Sequence, residues 1–169
     1  MPAEGPRRRL LIVHHSLTGG ARQMAWAALA GARAEDAVVT TILAARDADA
    51  ADMLAADGYL FACPENLASM AGVMKDFFDR CYYPVLDRLN GRPYAAMICA
   101  GSDGEGAARQ IARIATGWRL RVVADPLIIC THAQTPEAIL APKVIPPADL
   151  ARCEELGSAL AAGLAMGVF

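Results

Sequence analysis

An apolar run that ends abruptly in hydroxyl and glycine residues is the feature that most constrains how this chain can fold. Residues 10–13 are all apolar, and the segment that follows carries Ser16, Thr18, Gly19 and Gly20. Such a run suits a strand buried on both faces, and two glycines permit a tight turn whose amides point inward. A helix that begins directly afterwards would aim its free N–H groups and the positive end of its dipole at an anion. The stretch therefore predicts a strand, a phosphate-binding turn and a helix, although an ordinary strand-to-helix connection without a ligand stays open from these residues alone.

The rest of the chain repeats this alternation of strand and helix. Further strands are predicted over residues 37–43, 58–63, 94–100 and 121–130, and helices over 23–33, 70–81, a segment containing 108–115, and about 148–166, with a short helix or connector over 47–56. Pro64 is expected to end the third strand because proline has no N–H for the ladder, and Pro126 implies a bulge or an edge position in the fifth. The pattern predicts an α/β fold, a doubly wound five-stranded parallel sheet with helices on both faces.

Length and composition favour one domain that binds neither nucleic acid nor membrane. The 169 residues are enough for a full hydrophobic core, so residues 1–169 are expected to form a single domain, with residues 1–7 disordered or extended. The formal net charge of −2 gives no electrostatic reason to expect nucleic acid. Five cysteines without a CxxC spacing indicate reduced thiols and a cytoplasmic location. No apolar segment reaches the ~18 to 20 residues that a membrane-spanning helix needs.

Three loops of unusual composition are predicted to meet at one edge of the sheet. They are residues 16–23, 64–72 and 101–106, which follow the first, third and fourth predicted strands. In an open parallel sheet, the ligand crevice lies at the carboxyl ends of the strands where the strand order reverses. These loops are therefore the predicted ligand site.

The first two loops carry a resemblance to a known family. The segment Ser16-Leu17-Thr18-Gly19-Gly20-Ala21 resembles the phosphate loop of the flavodoxin-like superfamily. The segment from Pro64 to Arg80 is similar to one in the NAD(P)H-dependent flavin reductases of that superfamily, which begins with proline after the third strand and ends in Lys-x-Phe-x-Asp-Arg, here residues 75–80. The resemblance covers nearly the whole chain in the order of its elements and implies a flavodoxin-like sheet of strand order 2-1-3-4-5.

The resemblance implies an FMN-binding oxidoreductase. In that family, NAD(P)H acts as a transient hydride donor, and the electrons pass through FMN N5 to a small-molecule acceptor such as a flavin or a quinone. The implied phosphate-binding residues are Ser16, Thr18, Gly19, Gly20, Arg22 and Gln23. Those implied beside the flavin ring are Pro64, Glu65, Asn66, Leu67, Ala68 and Met70 from the second loop, and Ala100, Gly101, Ser102, Asp103 and Gly104 from the third. No side chain is assigned a catalytic role.

Two departures from the family pattern bear on function. Ala21 replaces the last hydroxyl residue of the phosphate loop, which removes one hydrogen bond worth ~0.5 to 1.5 kcal/mol. Neither ring-flanking loop contains Trp or Tyr, so one face of the ring would be open to a nicotinamide or a quinone-like acceptor, which favours a reductase over an electron carrier. A flavodoxin-type electron-transfer protein and a flavin-free binding domain stay open as alternatives.

The remaining chemically capable residues support no other activity. His14 and His15 adjoin the first loop, and strand alternation predicts that at most one of them faces a given ligand. With only one further histidine and no carboxylate at ligand spacing, no metal site is expected. Ser16 and Ser102 lack the GxSxG context of a hydrolase nucleophile. Tyr82 and Tyr83 are expected in packing or in subunit contacts, so a homo-oligomer stays open.

Overall fold

The structure is a computed structural model that describes residues 5–169. Residues 1–4 of the segment predicted to be disordered or extended lie outside the described residues, and residues 5–7 precede the first strand without regular secondary structure. The strands are β1 (Arg8–His14), β2 (Val38–Ala44), β3 (Gly58–Asn66), β4 (Ser69–Met70), β5 (Pro93–Ala100), β6 (Arg121–Val122) and β7 (Leu127–Cys130). The helices are α1 (Gly20–Ala32), α2 (Ala50–Ala55), α3 (Gly72–Val85), α4 (Glu105–Gly117), α5 (Pro136–Leu140) and α6 (Pro147–Met166).

The central sheet is parallel and has the predicted strand order. Its strands run β2-β1-β3-β5-β6, and β7 pairs with β5 beyond β6. The two short strands β6 and β7 together fill the fifth position, with Pro126 in the gap between them. The predicted doubly wound sheet of order 2-1-3-4-5 is therefore confirmed, and the strand position for which Pro126 implied a bulge or an edge lies at the edge of the sheet.

The prediction that Pro64 ends the third strand is wrong. Strand β3 continues through Pro64 to Asn66 and then turns back to pair antiparallel with β4. Pro64 still lies opposite Cys99 in the parallel ladder, and its carbonyl accepts a hydrogen bond from the N–H of Ala71 at 3.2 Å. The proline is tolerated because it lies where the strand passes from one partner to the next, so that neither ladder depends on its missing N–H.

Helices cover both faces of the sheet, as the alternating pattern predicts. Helices α1 and α6 pack on one face around Ile12, Met24 and Leu160. Helices α2, α3 and α4 pack on the other face, where Phe61 and Trp118 belong to a buried aromatic cluster. Both faces are thus closed by apolar packing, which leaves the carboxyl edge of the sheet as the place for a ligand.

The differences from the sequence prediction include one helix start and two short elements. Helix α1 begins at Gly20 rather than at Gln23, and the short elements β4 and α5 were not predicted. Helix α1 starts early because its glycine-rich turn is itself the N-terminal end of the helix. Among the helices of residues 5–169, none is both long enough and apolar enough to cross a membrane.

Candidate functional site

The three predicted loops lie at the carboxyl ends of β1, β3 and β5, which are neighbours in the sheet. The first loop joins β1 to α1, and the third joins β5 to α4. The second loop is the hairpin between β3 and β4 together with its return to α3. The chain therefore brings the predicted site segments together at one edge.

The first loop ends in a helix start whose N–H groups are free. Gly19 adopts a left-handed conformation (φ 93°) immediately before α1, and its N–H donates to Ser16 Oγ at 3.0 Å. Within residues 5–169, no oxygen accepts from the backbone N–H of Gly20, Ala21 or Arg22. Free N–H groups at the positive end of a helix form an anion site.

Close packing at Gly20 fixes the position of this helix start. A Cβ atom at residue 20 would lie 2.5 Å from Cys99 Sγ, so only glycine lets α1 begin this close to the end of β5. The side chain of Ala21 is buried in the core that α1 shares with α6. The hydroxyls available to an anion in this loop are therefore those of Ser16 and Thr18.

Gln23 already has its hydrogen bonds within the chain. Its Nε2 donates to the carbonyls of Gly19 (2.9 Å) and Lys143 (2.7 Å), and its Oε1 accepts from the N–H of Ile145 at 3.0 Å. The Thr18 carbonyl accepts from the N–H of Lys143 at 2.8 Å. The side chain thus holds the segment before α6 against the first loop, a role that the sequence does not signal because the partners lie about 120 positions away.

Glu65 joins the second and third loops. Its Oε1 accepts from the N–H of Gly104 at 2.8 Å, and its Oε2 accepts from the N–H of Ala107 at 3.1 Å. The Oε1 atom of Gln110 accepts from the N–H of Met70 at 2.8 Å, and its Nε2 donates to Ser69 Oγ at 2.8 Å. The carboxylate of Glu65 therefore faces the start of α4 and fixes the hairpin there.

The tip of the hairpin has an uncommon backbone. Leu67 and Ala68 both have positive φ angles, 51° and 61°, and Leu67 and Asn66 are exposed. Such a pair suits a two-residue turn, yet glycine or asparagine is the usual occupant. The Ala68 carbonyl lies directly against Gly106, where a Cβ atom would collide with it. Non-glycine residues held in this region often mark a functional site.

Met70 and the third loop differ in their exposure to solvent. Met70 is buried in the core, whereas Ser102 and Asp103 are exposed. Gly104 has φ 91°, and a Cβ atom there would lie 2.5 Å from Ile128 Cγ2. The Gly101 carbonyl accepts from the N–H of His132 at 2.8 Å, which attaches this loop to the segment after β7.

The prediction that at most one of His14 and His15 faces a given ligand stays a prediction. Both residues line the same cavity beside the first loop. The alternation of side chains requires continuous strand, and β1 ends at His14, so His15 lies outside it. Burial lowers the pKa of His14, with further lowering from Arg22 and His15. Burial likewise lowers the pKa of His15, with a contribution from Arg46.

Solved structures of flavodoxins and their relatives share this fold. A flavodoxin from the domain Archaea is 19% identical, with a TM-score of 0.71 over 92% of this chain and 98% of that one. A WrbA-like flavodoxin from Agrobacterium tumefaciens is 16% identical, with a TM-score of 0.72 over 94% and 98%. The rubredoxin oxygen:oxidoreductase of Desulfovibrio gigas is 14% identical, with a TM-score of 0.74 over 98% of this chain and 38% of that protein. The chain has a flavodoxin-like fold.

Sequence similarity defines the family within this class. The sequence model of the NADPH-dependent FMN reductase family matches residues 44–134, more than half of the chain, and the chain belongs to that family. No curated protein sequence matches it. The matched stretch contains the second and third loops and begins after the first, so it says nothing about the open N-terminus of α1.

Proposed function

We propose that this chain is an FMN-binding oxidoreductase that takes hydride from NAD(P)H and passes electrons to a small acceptor such as a flavin or a quinone. The open N-terminus of α1, beside two preformed loops at the same sheet edge, is the observation that carries the proposal. Membership of the NADPH-dependent FMN reductase family supports the same chemistry.

The chemistry of the first loop suits a phosphomonoester. The N–H groups of the first turn of α1 and the hydroxyls of Ser16 and Thr18 are hydrogen-bond donors, and no acidic residue lies between residues 14 and 34. Arg22 adds a positive charge in the first helical turn, where a lone cation is unfavourable and a bound anion would offset it. These groups would hold the FMN phosphate even though Ala21 provides no hydroxyl group at the end of the loop.

The second and third loops would flank the flavin ring. The two carboxylate bonds of Glu65 hold these loops together before any ligand arrives, and preorganised walls lower the cost of ordering a bound cofactor. Neither loop contributes Trp or Tyr, which leaves room for a nicotinamide to stack on the ring. When bound, FMN supplies the redox chemistry, and the chain's residues bind it, orient it and limit its contact with water.

An FMN titration followed by addition of NADPH or NADH tests this function. We expect saturable FMN binding, and then oxidation of the nicotinamide in the presence of a soluble quinone or free flavin. The double variant Ser16→Ala/Thr18→Val should weaken FMN binding by roughly tenfold, as expected for the loss of two hydroxyl hydrogen bonds. Thr116→Ala, which removes a hydroxyl from the far end of α4, is the matched control and should leave the affinity unchanged.

Two outcomes would overturn the proposal. Uptake of FMN without oxidation of either nicotinamide by any small acceptor would indicate an electron-transfer protein. A folded protein that takes up no FMN would indicate a flavin-free binding domain.

A further inference from the structure

A cavity of about 270 Å³ lies at the amino edge of the sheet, opposite the three loops. Two of its lining residues, Arg8 and Pro93, are the first residues of β1 and β5, and a third, Asp57, directly precedes β3. Because these strands are parallel, their amino ends meet at one edge and their carboxyl ends at the other. The cavity therefore shares no residue with the proposed flavin site.

The first polar wall of this cavity is Arg92, which one of its nitrogens holds in place. The Nη1 atom donates to carbonyls at the end of α2, including those of Leu54 at 3.0 Å and Ala56 at 2.6 Å. A cation on the last carbonyls of a helix is favourable, so these bonds explain why the side chain lies there. Within residues 5–169, Nε and Nη2 of Arg92 make no hydrogen bond. The half-buried guanidinium is thus fixed while part of its N–H groups stays open.

The second polar wall is Arg8, which Asp57 holds in the same way. Arg8 Nη1 donates to Asp57 Oδ1 at 3.1 Å, and Asp57 Oδ2 accepts from the N–H of Arg9 at 2.8 Å. The N–H of Asp57 also donates to the Arg9 carbonyl at 2.8 Å, which fixes the carboxylate relative to β1. Among the described residues, Nε and Nη2 of Arg8 have no acceptor. Two positioned guanidinium groups therefore line one cavity with N–H groups to spare.

The charge of the lining side chains matches one negative charge. Arg8 and Arg92 supply two positive charges and Asp57 supplies one negative charge. The end of α6 also borders the cavity, and unpaired carbonyls there would repel an anion. The carbonyls of Leu164 and Gly163 instead accept from the N–H groups that follow the helix, at 3.2 and 3.1 Å. The surroundings therefore favour a monoanion.

The remaining wall of the cavity is apolar. It consists of Pro93, Leu164 and Phe169. The ring of Phe169 packs directly on Gly163, where a Cβ atom would collide with it, so the glycine makes this wall possible. A volume of about 270 Å³ lies at the small end of ligand cavities. The apolar wall and the small volume together suit a compact ligand with a hydrophobic body.

We propose that this cavity binds a small organic carboxylate, with Arg8 and Arg92 on the carboxylate group and the apolar wall on the ligand body. Guanidinium groups donate paired N–H bonds to a carboxylate. A phosphomonoester carries about −1.5 to −2 charges at pH 7, more than the lining side chains balance. The site lies away from the three loops and needs no flavin, so its test is separate from that of the proposed function.

A titration of the full chain with benzoate in phosphate-free buffer tests the site, followed by ¹H–¹⁵N NMR spectra. We expect saturable binding that shifts the amide signals of Asn90 and Gly91 at the cavity and leaves that of Gly19 in the first loop unchanged. Benzyl alcohol has the same ring without the charge and should bind on the order of tenfold more weakly, as should inorganic phosphate, which has no apolar body.

Two arginine variants and a matched control locate the binding. Arg8→Ala should weaken benzoate binding about fivefold, and the loss of its exposed ion pair should cost little stability. Arg92→Lys keeps a cation for the end of α2 but loses the planar fork, so the chain should stay folded while benzoate binding weakens by a similar factor. Arg152→Ala breaks an ion pair with Asp149 of the same length, 3.1 Å, and should leave benzoate binding unchanged.

Any of three results would overturn the assignment. The first is equal affinity for benzoate and either benzyl alcohol or inorganic phosphate. The second is a benzoate affinity in Arg8→Ala as high as in Arg152→Ala. The third is a set of shifts at Gly19 rather than at Asn90 and Gly91, which would place the carboxylate at the open start of α1.

Discussion

Two helices begin at the same edge of the sheet with almost the same backbone conformation. Only one of them has a carboxylate of the chain bound to the N–H groups at its start. Gly19 before α1 has φ 93° and ψ −9°, and Gly104 before α4 has φ 91° and ψ −16°. At α4, the carboxylate of Glu65 accepts from the N–H groups of Gly104 and Ala107. At α1, the N–H of Gly19 donates to Ser16 Oγ, and no acceptor within residues 5–169 reaches the N–H groups of Gly20, Ala21 and Arg22.

The contrast separates a helix start that the chain itself occupies from one that it leaves open. Where the chain can supply an anion, it places a carboxylate on the free amides, and that carboxylate also attaches the β3–β4 hairpin. At α1 the chain supplies no anion, and Arg22 and two hydroxyl residues lie next to the free N–H groups in the sequence. The filled site is structural, and the open one is where an external anion is expected.

The largest effect is expected from alanine at Gly104, one of the two left-handed glycines that precede α1 and α4. Gly104→Ala should lower the free energy of unfolding by about 3 kcal/mol, because a left-handed alanine and a clash with Ile128 add together. Gly19→Ala should cost only about 1 kcal/mol, because the nearest atom to its Cβ is Gln23 Nε2 at 3.7 Å. Urea unfolding of both variants measures the difference, and equal losses would show that the two helix starts are not packed as the structure has them.

Removal of the internal anion should have the next largest effect. Glu65→Ala should lower the free energy of unfolding by about 2 kcal/mol, since two amide donors at the helix start lose a charged acceptor. Added sulfate should recover part of this loss in the variant beyond what it gives the unmodified protein. Glu155→Ala, on the exposed side of α6, is the control and should change little. A variant at position 65 as stable as that control would mean that the carboxylate does not stabilise this helix start.

The smallest effect is expected from pH. His14 and His15 have folded-state pKa values below the ordinary 6.5, so the unfolded chain binds more protons than the folded chain once the pH falls below that value. Stability should therefore be fully present above pH 7 and decrease as the pH falls through about 6.5. The double variant His14→Gln/His15→Gln should lose this slope between pH 7 and 5.5, as measured by urea unfolding at each pH. If the double variant keeps the same slope, groups other than these two histidines cause the decrease in stability.

The fold could be predicted from the sequence because its signals are local. The main strands are apolar or β-branched runs, and the helices on both faces follow from alternation alone. One exception was Pro64, where the rule that proline ends a strand failed because β3 changes its pairing partner at that residue.

The site was predictable as a set of segments but not as a set of contacts. The three loops meet as expected, since parallel strands bring their carboxyl ends to one edge. The bonds of Gln23 and Glu65 were missed because their partners lie about 120 and 40 positions along the chain. The shared cavity of His14 and His15 was missed because strand alternation was applied one residue beyond the end of β1.

A comparison of FMN with riboflavin tests the central claim most directly, because the two ligands differ only in the phosphate that the open start of α1 is proposed to hold. Both affinities can be measured by the quenching of flavin fluorescence. We predict that FMN binds at least about 100-fold more tightly than riboflavin, as expected for several charge-assisted hydrogen bonds to one phosphate. Equal affinity for the two flavins would contradict the account, because the open helix start would then contribute nothing to binding.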